Sequence, residues 1–281
     1  MKSLELLNVG KAKLINIPSG KTDAMELLMI SASKSKLELL KNVEIEKSVE
    51  KEYFANLEKR LNGEPMQKFY GYTEFLGVKI SFNEQTLTPR QETEILADLI
   101  IKDIGKLGDK VSVLDLCAGS GCIGLAVKKH TNSIVTLSDI SDFAIAHINE
   151  NAKNNNLNVC VIKSNMFNLL EGQFDIIVSN PPYLKTCELK TLEKEVDLFD
   201  PKLALDGGED GLVFYRIIAN NLIDFLKPNG NLYLEIHYML GNETKKLFEK
   251  YFENVKIIKD FGGQDRFVVC YNRKEIIWLK S

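Results

Sequence analysis

The chain has 281 residues, 44% of them hydrophobic and 27% charged, a balance that excludes collagen-like, disordered and staple-dependent mini-protein classes. Its net charge of −3 excludes a chain-wide polyanion binder, so no direct nucleic-acid partner is expected. The five cysteines have no CxxC spacing, and no apolar run approaches the roughly 18 residues of a membrane span; a reduced, cytoplasmic protein without membrane attachment or metal site is expected.

The amino terminus, MKSLELLNVGKAKL, lacks an apolar core of signal-peptide length, in keeping with that address. Residues 1 to about 68 read as a small helical domain. Segments 23–42 and 47–62 space their apolar residues three and four apart. Asp23 is the predicted N-cap of the first, and Gly63 the stop of the second. Over 69–90 apolar and polar residues alternate, which predicts a β-hairpin linking two domains. A helix is predicted over 91–105. Strands are then predicted at 111–117, 134–139, 159–163, 174–180, 231–237, 254–261 and 266–272, with helices after the first two and over 211–226. Such alternation predicts an α/β domain over 91–281, its mostly parallel sheet covered on both faces. Cys117 and Cys160 fall in the strand runs, where cysteine behaves as a small hydrophobe.

Between the first strand and its helix lies Asp115-Leu-Cys117-Ala118-Gly119-Ser120-Gly121-Cys-Ile-Gly124. The glycines satisfy G-x-G-x-x-G, which permits a tight turn and close approach of a ligand to the backbone. Asp139 ends the next strand, where a carboxylate can accept both hydroxyls of a ribose. Three readings fit: structural glycines, a dinucleotide site, or a site for S-adenosylmethionine. Asp115 favours the third, because an acid suits a ligand without phosphates and can meet a methionine ammonium group.

Directly after the strand FDIIV comes Ser-Asn180-Pro181-Pro182-Tyr183. Ligands in open α/β sheets bind outside the carboxyl ends of the strands. The prolines contribute carbonyl acceptors without N–H donors, and the Asn180 amide adds another acceptor. Such acceptors suit a planar NH₂ group, an amide or an adenine amine. Gripping both hydrogens returns electron density to nitrogen and aims its lone pair at an electrophilic methyl. Tyr183 can stack on the planar group. A sulfonium methyl is already activated, so alignment supplies much of the rate. The plain alternative is a turn, since Asn-Pro is a turn dipeptide.

With these motifs together, the chain resembles the protein-(glutamine-N5) methyltransferases that modify peptide chain release factors. The likeness runs through 63–77, 88–94, 113–127, 174–183, 206–218, 232–237 and 259–268. It implies a class I methyltransferase, Rossmann-like with a mostly parallel seven-stranded sheet, and a helical N-terminal domain that docks substrate. It implies S-adenosylmethionine as cofactor, S-adenosylhomocysteine as product and a release factor as partner. By position, Cys117, Ala118, Gly119, Ser120 and Gly121 would line the methionine end of the cofactor. Asp139 would hold the ribose, and Asn165 and Met166 would border the adenine. Asn180 would touch both cofactor and substrate, and Asn180, Pro181, Pro182 and Tyr183 would bind the glutamine, with Arg90 close by. The chain departs from the family pattern at Gln91 (usually proline), Cys117-Ala118 (commonly Gly-Thr), Asn165 (usually aspartate), His237 (glycine) and Leu240 (glutamine).

The expected reaction is in-line methyl transfer to the glutamine of a Gly-Gly-Gln loop, by a monomer. A ribosomal protein is the alternative substrate for the same chemistry. An adenine-N6 methyltransferase of nucleic acid would need a recognition surface and a flipped base, and mild acidity and short length argue against it. The intact Asn180–Tyr183 element argues against a non-catalytic binding module. No nicotinamide-side catalytic pair supports an oxidoreductase. His130 and His147 read as surface or lining residues, His237 as a strand end without a partner, and Trp278 as packing.

Overall fold

A computed structural model describes residues 1–81, 86–108, 110–192, 196 and 200–274. Two compact units emerge, one built on Met1–Tyr72 and the other on Thr73–Glu193 together with Asp200 onward.

The first unit is helical: α1 (Ser3–Lys13), α2 (Gly20–Ala32), α3 (Lys36–Leu40), α4 (Lys47–Leu61) and α5 (Met66–Tyr70). Its core gathers Leu6, Leu27, Leu28, Tyr53 and Leu57. Gly10 lets α4 come close, because a Cβ there would lie 1.9 Å from the Tyr53 hydroxyl, which donates to the Ala24 carbonyl at 3.1 Å. The single helix predicted over 23–42 is two helices. Ser33 turns left-handed at φ 48°, and Ser35 opens α3 with a capping box closed by Glu38.

Asp23 is not an N-cap, because α2 begins at Gly20. Its buried carboxylate instead accepts from Arg60 Nε and from the Ser19 hydroxyl, each at 2.8 Å. Asp23 is spent on a tertiary ion pair, and only the fold brings Arg60 to it. Arg60→Met strands a buried carboxylate. We expect it to cost about 3–5 kcal/mol, read as a lowered midpoint in denaturant unfolding; a loss under 1 kcal/mol would show that the pair is dispensable.

The second unit opens with the hairpin β1 (Tyr72–Phe75) and β2 (Val78–Ser81). Residues 82–85 of the predicted hairpin stretch lie outside the described residues. The hairpin is bound into this unit and is no free linker. Asn155 exchanges two hydrogen bonds with the backbone of Lys79, at 3.0 and 2.8 Å, and Lys129 donates to the Gly77 carbonyl.

After α6 (Gln91–Leu107) come β3 (Ser112–Leu116), α7 (Cys122–His130), β4 (Ile134–Asp139), α8 (Asp142–Asn154), β5 (Cys160–Lys163) and β6 (Phe174–Ser179). Then follow α9 (Val213–Phe225), β7 (Leu226–Glu235), α10 (Gly241–Phe248), β8 (Phe252–Lys259) and β9 (Asp265–Arg273). The strands form a seven-stranded sheet ordered β5-β4-β3-β6-β7-β9-β8. All pairs from β5 to β7 are parallel, and β9 runs antiparallel to both its neighbours.

Successive strand residues face opposite sides. Val113 and Val135 join Leu96, Ile100, Ile123 and Ile148 on one face. Leu114, Ile177 and Leu232 join Tyr215, Ile218 and Phe248 on the other. Both faces are buried, which is why the strands read as continuous apolar runs. Cys160 departs from its expected burial and is exposed, because β5 is the sheet edge. Trp278 lies outside the described residues. No helix among the described residues is long and apolar enough to cross a membrane.

Candidate active site

The chain leaves β3 for β4 and β5 on one side, then returns with β6 on the other. The carboxyl ends of β3 and β6 therefore flank a topological switch point, where open α/β sheets form a crevice. A cavity of about 200 Å³ opens there. From the sequence expectations it gathers Cys117, Ala118, Gly119, Ser120, Asp139, Asn165, Met166, Asn180, Pro182 and Arg90.

The three glycines of the turn serve different ends. A Cβ on Gly124 would lie 2.7 Å from Leu137 and 3.0 Å from Asp115 Oδ2, so this glycine lets α7 pack on the sheet. Gly121, at φ 81°, precedes the first residue of α7 and packs against Ile148, Leu137 and Leu125. It does not line the cavity. Gly119, at φ 56°, faces open space and leaves the backbone accessible to a ligand. Asp139 braces this turn: its two oxygens accept from the backbone N–H of Gly119 and of Ser141, each at 2.9 Å. Each oxygen keeps a further lone pair.

Cys117 and Met166 both adopt left-handed backbone, at φ 60° and 50°, and their sulfurs meet at 3.6 Å. Strain of this kind gathers at functional sites. Position 117 is where the resemblance sets a glycine, and the backbone explains the preference. Burial pushes the Cys117 and Cys122 thiols up to about 12, so both stay protonated and poorly nucleophilic.

Asp115 departs from its expected place. It does not line the cavity and is 1% exposed. Its Oδ2 accepts from the Gly124 N–H at 2.8 Å, while Oδ1 has no hydrogen-bond partner. Asp115 thus ties the start of α7 to β3. Burial first, and then the charge of Asp139, raise its pKa to about 7, against the pull of Gly124. In this environment the folded state keeps a proton that the unfolded chain releases above pH 3.8. The contribution is full below that pH and is lost as pH rises to about 7. Relative to Asp115→Asn, wild-type stability should fall by about 4 kcal/mol across this window and then level. Thermal melts of both proteins at pH 4 to 8 check this; a flat difference would place Asp115 in an ordinary ionised state.

The Asn180–Tyr183 element is only partly in the cavity. Asn180 and Pro182 line it, but Pro181 and Tyr183 do not. Burial, and then the charge of Glu235, raise the pKa of the Tyr183 hydroxyl, and its ring lies 6.1 Å from that of His237. It lies beside His237 instead of walling the pocket. Residues 206–211 cradle the Asn180–Tyr183 loop. Leu184 N–H donates to the Leu205 carbonyl at 2.9 Å, and Gly207 N–H to the Leu184 carbonyl at 2.7 Å. A Cβ on Gly207 would lie 2.7 Å from Tyr183 Cα, so only glycine fits there. Leu240 is buried, and a Cβ on Gly211 would approach it to 2.9 Å. Leu240 therefore packs on the cradle. His237 packs its ring 4.5 Å from Tyr238, and burial lowers its pKa.

Arg90, at the mouth, pairs with the buried Asp200 at 2.5 Å, and this pair fastens a segment whose Pro201, Leu203 and Ala204 reach the cavity. Sequence reasoning missed Asp200, Gly207, Asn151 and Glu235. Asn151 donates to the Ser120 and Ser81 carbonyls, each at 3.0 Å, joining turn and hairpin. An acid closing the apolar run LYLE was the available signal for Glu235.

The residues fit S-adenosylmethionine. The lining is largely apolar and, among the described residues, its charged members are Asp139 and the already paired Arg90. That suits an adenine, a ribose and an aliphatic tail, and offers no free cation for a pyrophosphate. No group of three or more His, Cys, Asp or Glu among the described residues is placed to hold a metal.

A doubly flanked sheet in this strand order, with a glycine turn, a strand-end acid and Asn-Pro-Pro-Tyr at one crevice, is a class I methyltransferase. The family model described as the methyltransferase small domain matches residues 90–197. The release factor glutamine methyltransferase of Streptococcus pneumoniae is 39% identical over 80% of this chain and 82% of its own length. That of Clostridium botulinum is 32% identical over 95% and 98%. The chain belongs to the release factor glutamine methyltransferase family. Among solved structures, the Thermus thermophilus 16S rRNA N2 G1207 methyltransferase, in complex with AdoMet and guanosine, aligns with a TM-score of 0.51. At 20% identity over 72% of this chain and 50% of that one, it speaks for the fold alone.

Proposed function

We propose that this protein transfers the methyl group of S-adenosylmethionine to the side-chain amide N5 of the glutamine in the Gly-Gly-Gln loop of a peptide chain release factor. The observation that carries this reading is the convergence of Asn180 and Pro182 with the glycine turn and Asp139 on one cavity. When bound, S-adenosylmethionine supplies an activated methyl on a sulfonium and leaves as a neutral thioether. The glycine turn, Asp139, Asn165 and Met166 hold it. Asn180 Oδ1, beside Pro182 at the cavity wall, accepts from the substrate NH₂ and aligns its lone pair, which forms the new N–C bond. The amide proton made acidic by that bond leaves to water. The protonated thiols of Cys117 and Cys122 do not compete for the methyl. The enzyme acts in this reading as a cytoplasmic monomer, without direct nucleic-acid contact, and the helical unit docks the release factor.

The test offers labelled S-adenosylmethionine with purified release factors, ribosomal proteins, and adenine-containing DNA and RNA. Mass spectrometry should locate the methyl on the Gly-Gly-Gln glutamine. Label on a ribosomal protein or on nucleic acid, and none on a release factor, would overturn the reading.

A further inference from the structure

β7 ends at Glu235, and the β6–β7 register pairs Ser179 with Leu234. Asn180 and Glu235 therefore follow each other's neighbours at the carboxyl edge of the sheet. Glu235 is 2% exposed. Its carboxylate accepts from the Thr93 hydroxyl at 2.7 Å, and the Asn180 amide and the Tyr183 hydroxyl are its polar neighbours beyond the end of β6. One buried carboxylate, tied to α6 through Thr93, thus stands beside both ends of the Asn-Pro-Pro-Tyr element.

An ionised carboxylate only accepts, whereas an asparagine amide accepts at one end and donates at the other. The two ends of that amide have nearly the same shape, so its surroundings decide which end points where. An Asn180 that turns its NH₂ toward the buried Glu235 carboxylate beside it is left with Oδ1 to offer. We infer that Glu235 is a positioning residue, which holds the Asn180 amide with Oδ1 presented to the substrate NH₂ and anchors Tyr183 behind it. This inference rests on the proposed reaction.

The arrangement depends on ionisation. A protonated Glu235 carries an O–H donor, which can turn to Asn180 Oδ1 and remove the acceptor from the pocket. Groups facing Glu235 are Glu92 and Thr93 from α6, Arg266 from β9, Asn180 and Tyr183 after β6, Tyr215 from α9 and Cys122 from α7. Burial is the largest influence and raises its pKa to about 7, while Thr93, Arg266 and Asn180 favour the charged form and Glu92 opposes it.

Two measurements test the inference. The first follows the Glu235 carboxyl by ¹³C NMR in cofactor-free protein across pH 5 to 9. The resonance is assigned by its loss in Glu235→Gln. Its midpoint should move up in Asn180→Ala and in Thr93→Val, since each removes a donor to the charged form. An unmoved midpoint in Asn180→Ala would overturn the inference whatever the enzyme methylates. The second is the pH profile of kcat at saturating cofactor. Wild type should lose about tenfold per pH unit below the Glu235 midpoint. Glu235→Gln should lose this acid limb, with kcat at pH 8 lower by about ten- to a hundredfold and KM for the cofactor unchanged. Thr93→Val should shift the limb upward. An acid limb that persists in Glu235→Gln would overturn the inference. If wild type methylates no release factor at any pH, the proposed reaction fails, and the NMR midpoints alone judge the Asn180–Glu235 link.

Discussion

Asn180→Ala should lower kcat for the release factor by about two to three orders of magnitude, the usual loss when one preorganised polar group is removed from a reacting centre. The reason lies in the nucleophile. An amide nitrogen has its lone pair delocalised, and the reaction needs that lone pair localised and aimed. An acceptor on the N–H groups does both. In water the same acceptor must be reoriented at each event; here Asn180 stands fixed at the end of β6, beside the glycine turn. Alanine leaves the turn and Asp139 in place, so cofactor affinity should change much less than kcat. Single-turnover transfer of labelled methyl separates the two. A kcat within tenfold of wild type would remove Asn180 from the reacting centre and sink the proposed alignment.

Asp139→Ala should show the opposite division. This carboxylate serves two backbone donors of the cavity wall, Gly119 and Ser141. Hydrogen bonds to a charged group contribute about 1.5–3 kcal/mol each. Those two bonds are made with or without cofactor; losing the acceptor a ribose would use should raise the cofactor Kd by about ten- to a hundredfold. Once cofactor is saturating, kcat should recover to within a few-fold. Isothermal titration with S-adenosylhomocysteine reads the affinity directly. Asp139→Asn, which keeps one acceptor, should fall between. An unchanged Kd in Asp139→Ala would show that the crevice is not the cofactor site.

Most of the architecture was legible because its signals are local. Strand β4 was read at its observed limits, and β3, β5, β6, β8 and β9 within two residues, since both faces of the sheet are buried and the apolar runs are unbroken. β7 was read five residues late, because Lys227-Pro228-Asn229-Gly230 looks like a turn while the strand passes through it with a register shift. The break between α2 and α3 was missed, although Ser35 and Glu38 carried the capping signal.

Within the site, the same division holds residue by residue. Gly119, Asp139 and Asn180 were legible because each sits at a strand end or turn whose backbone geometry the neighbouring residues dictate. Asp115, Tyr183 and Glu235 were not. Asp115 and Tyr183 lie in the motifs themselves, yet one serves α7 and the other sits by His237 instead of lining the cavity. Short-range patterns decide backbone shape, since a strand or a glycine turn needs only its own few residues. Whether a polar side chain faces a ligand or another side chain depends on what distant segments bring to it. Thr93 reaches Glu235 across 142 residues, Arg90 reaches Asp200 across 110, and Asn151 reaches Ser81 across 70. Those partners exist only once the chain has folded, so the fold class and the crevice were determined by the sequence pattern, and the side-chain wiring around the crevice by tertiary packing alone.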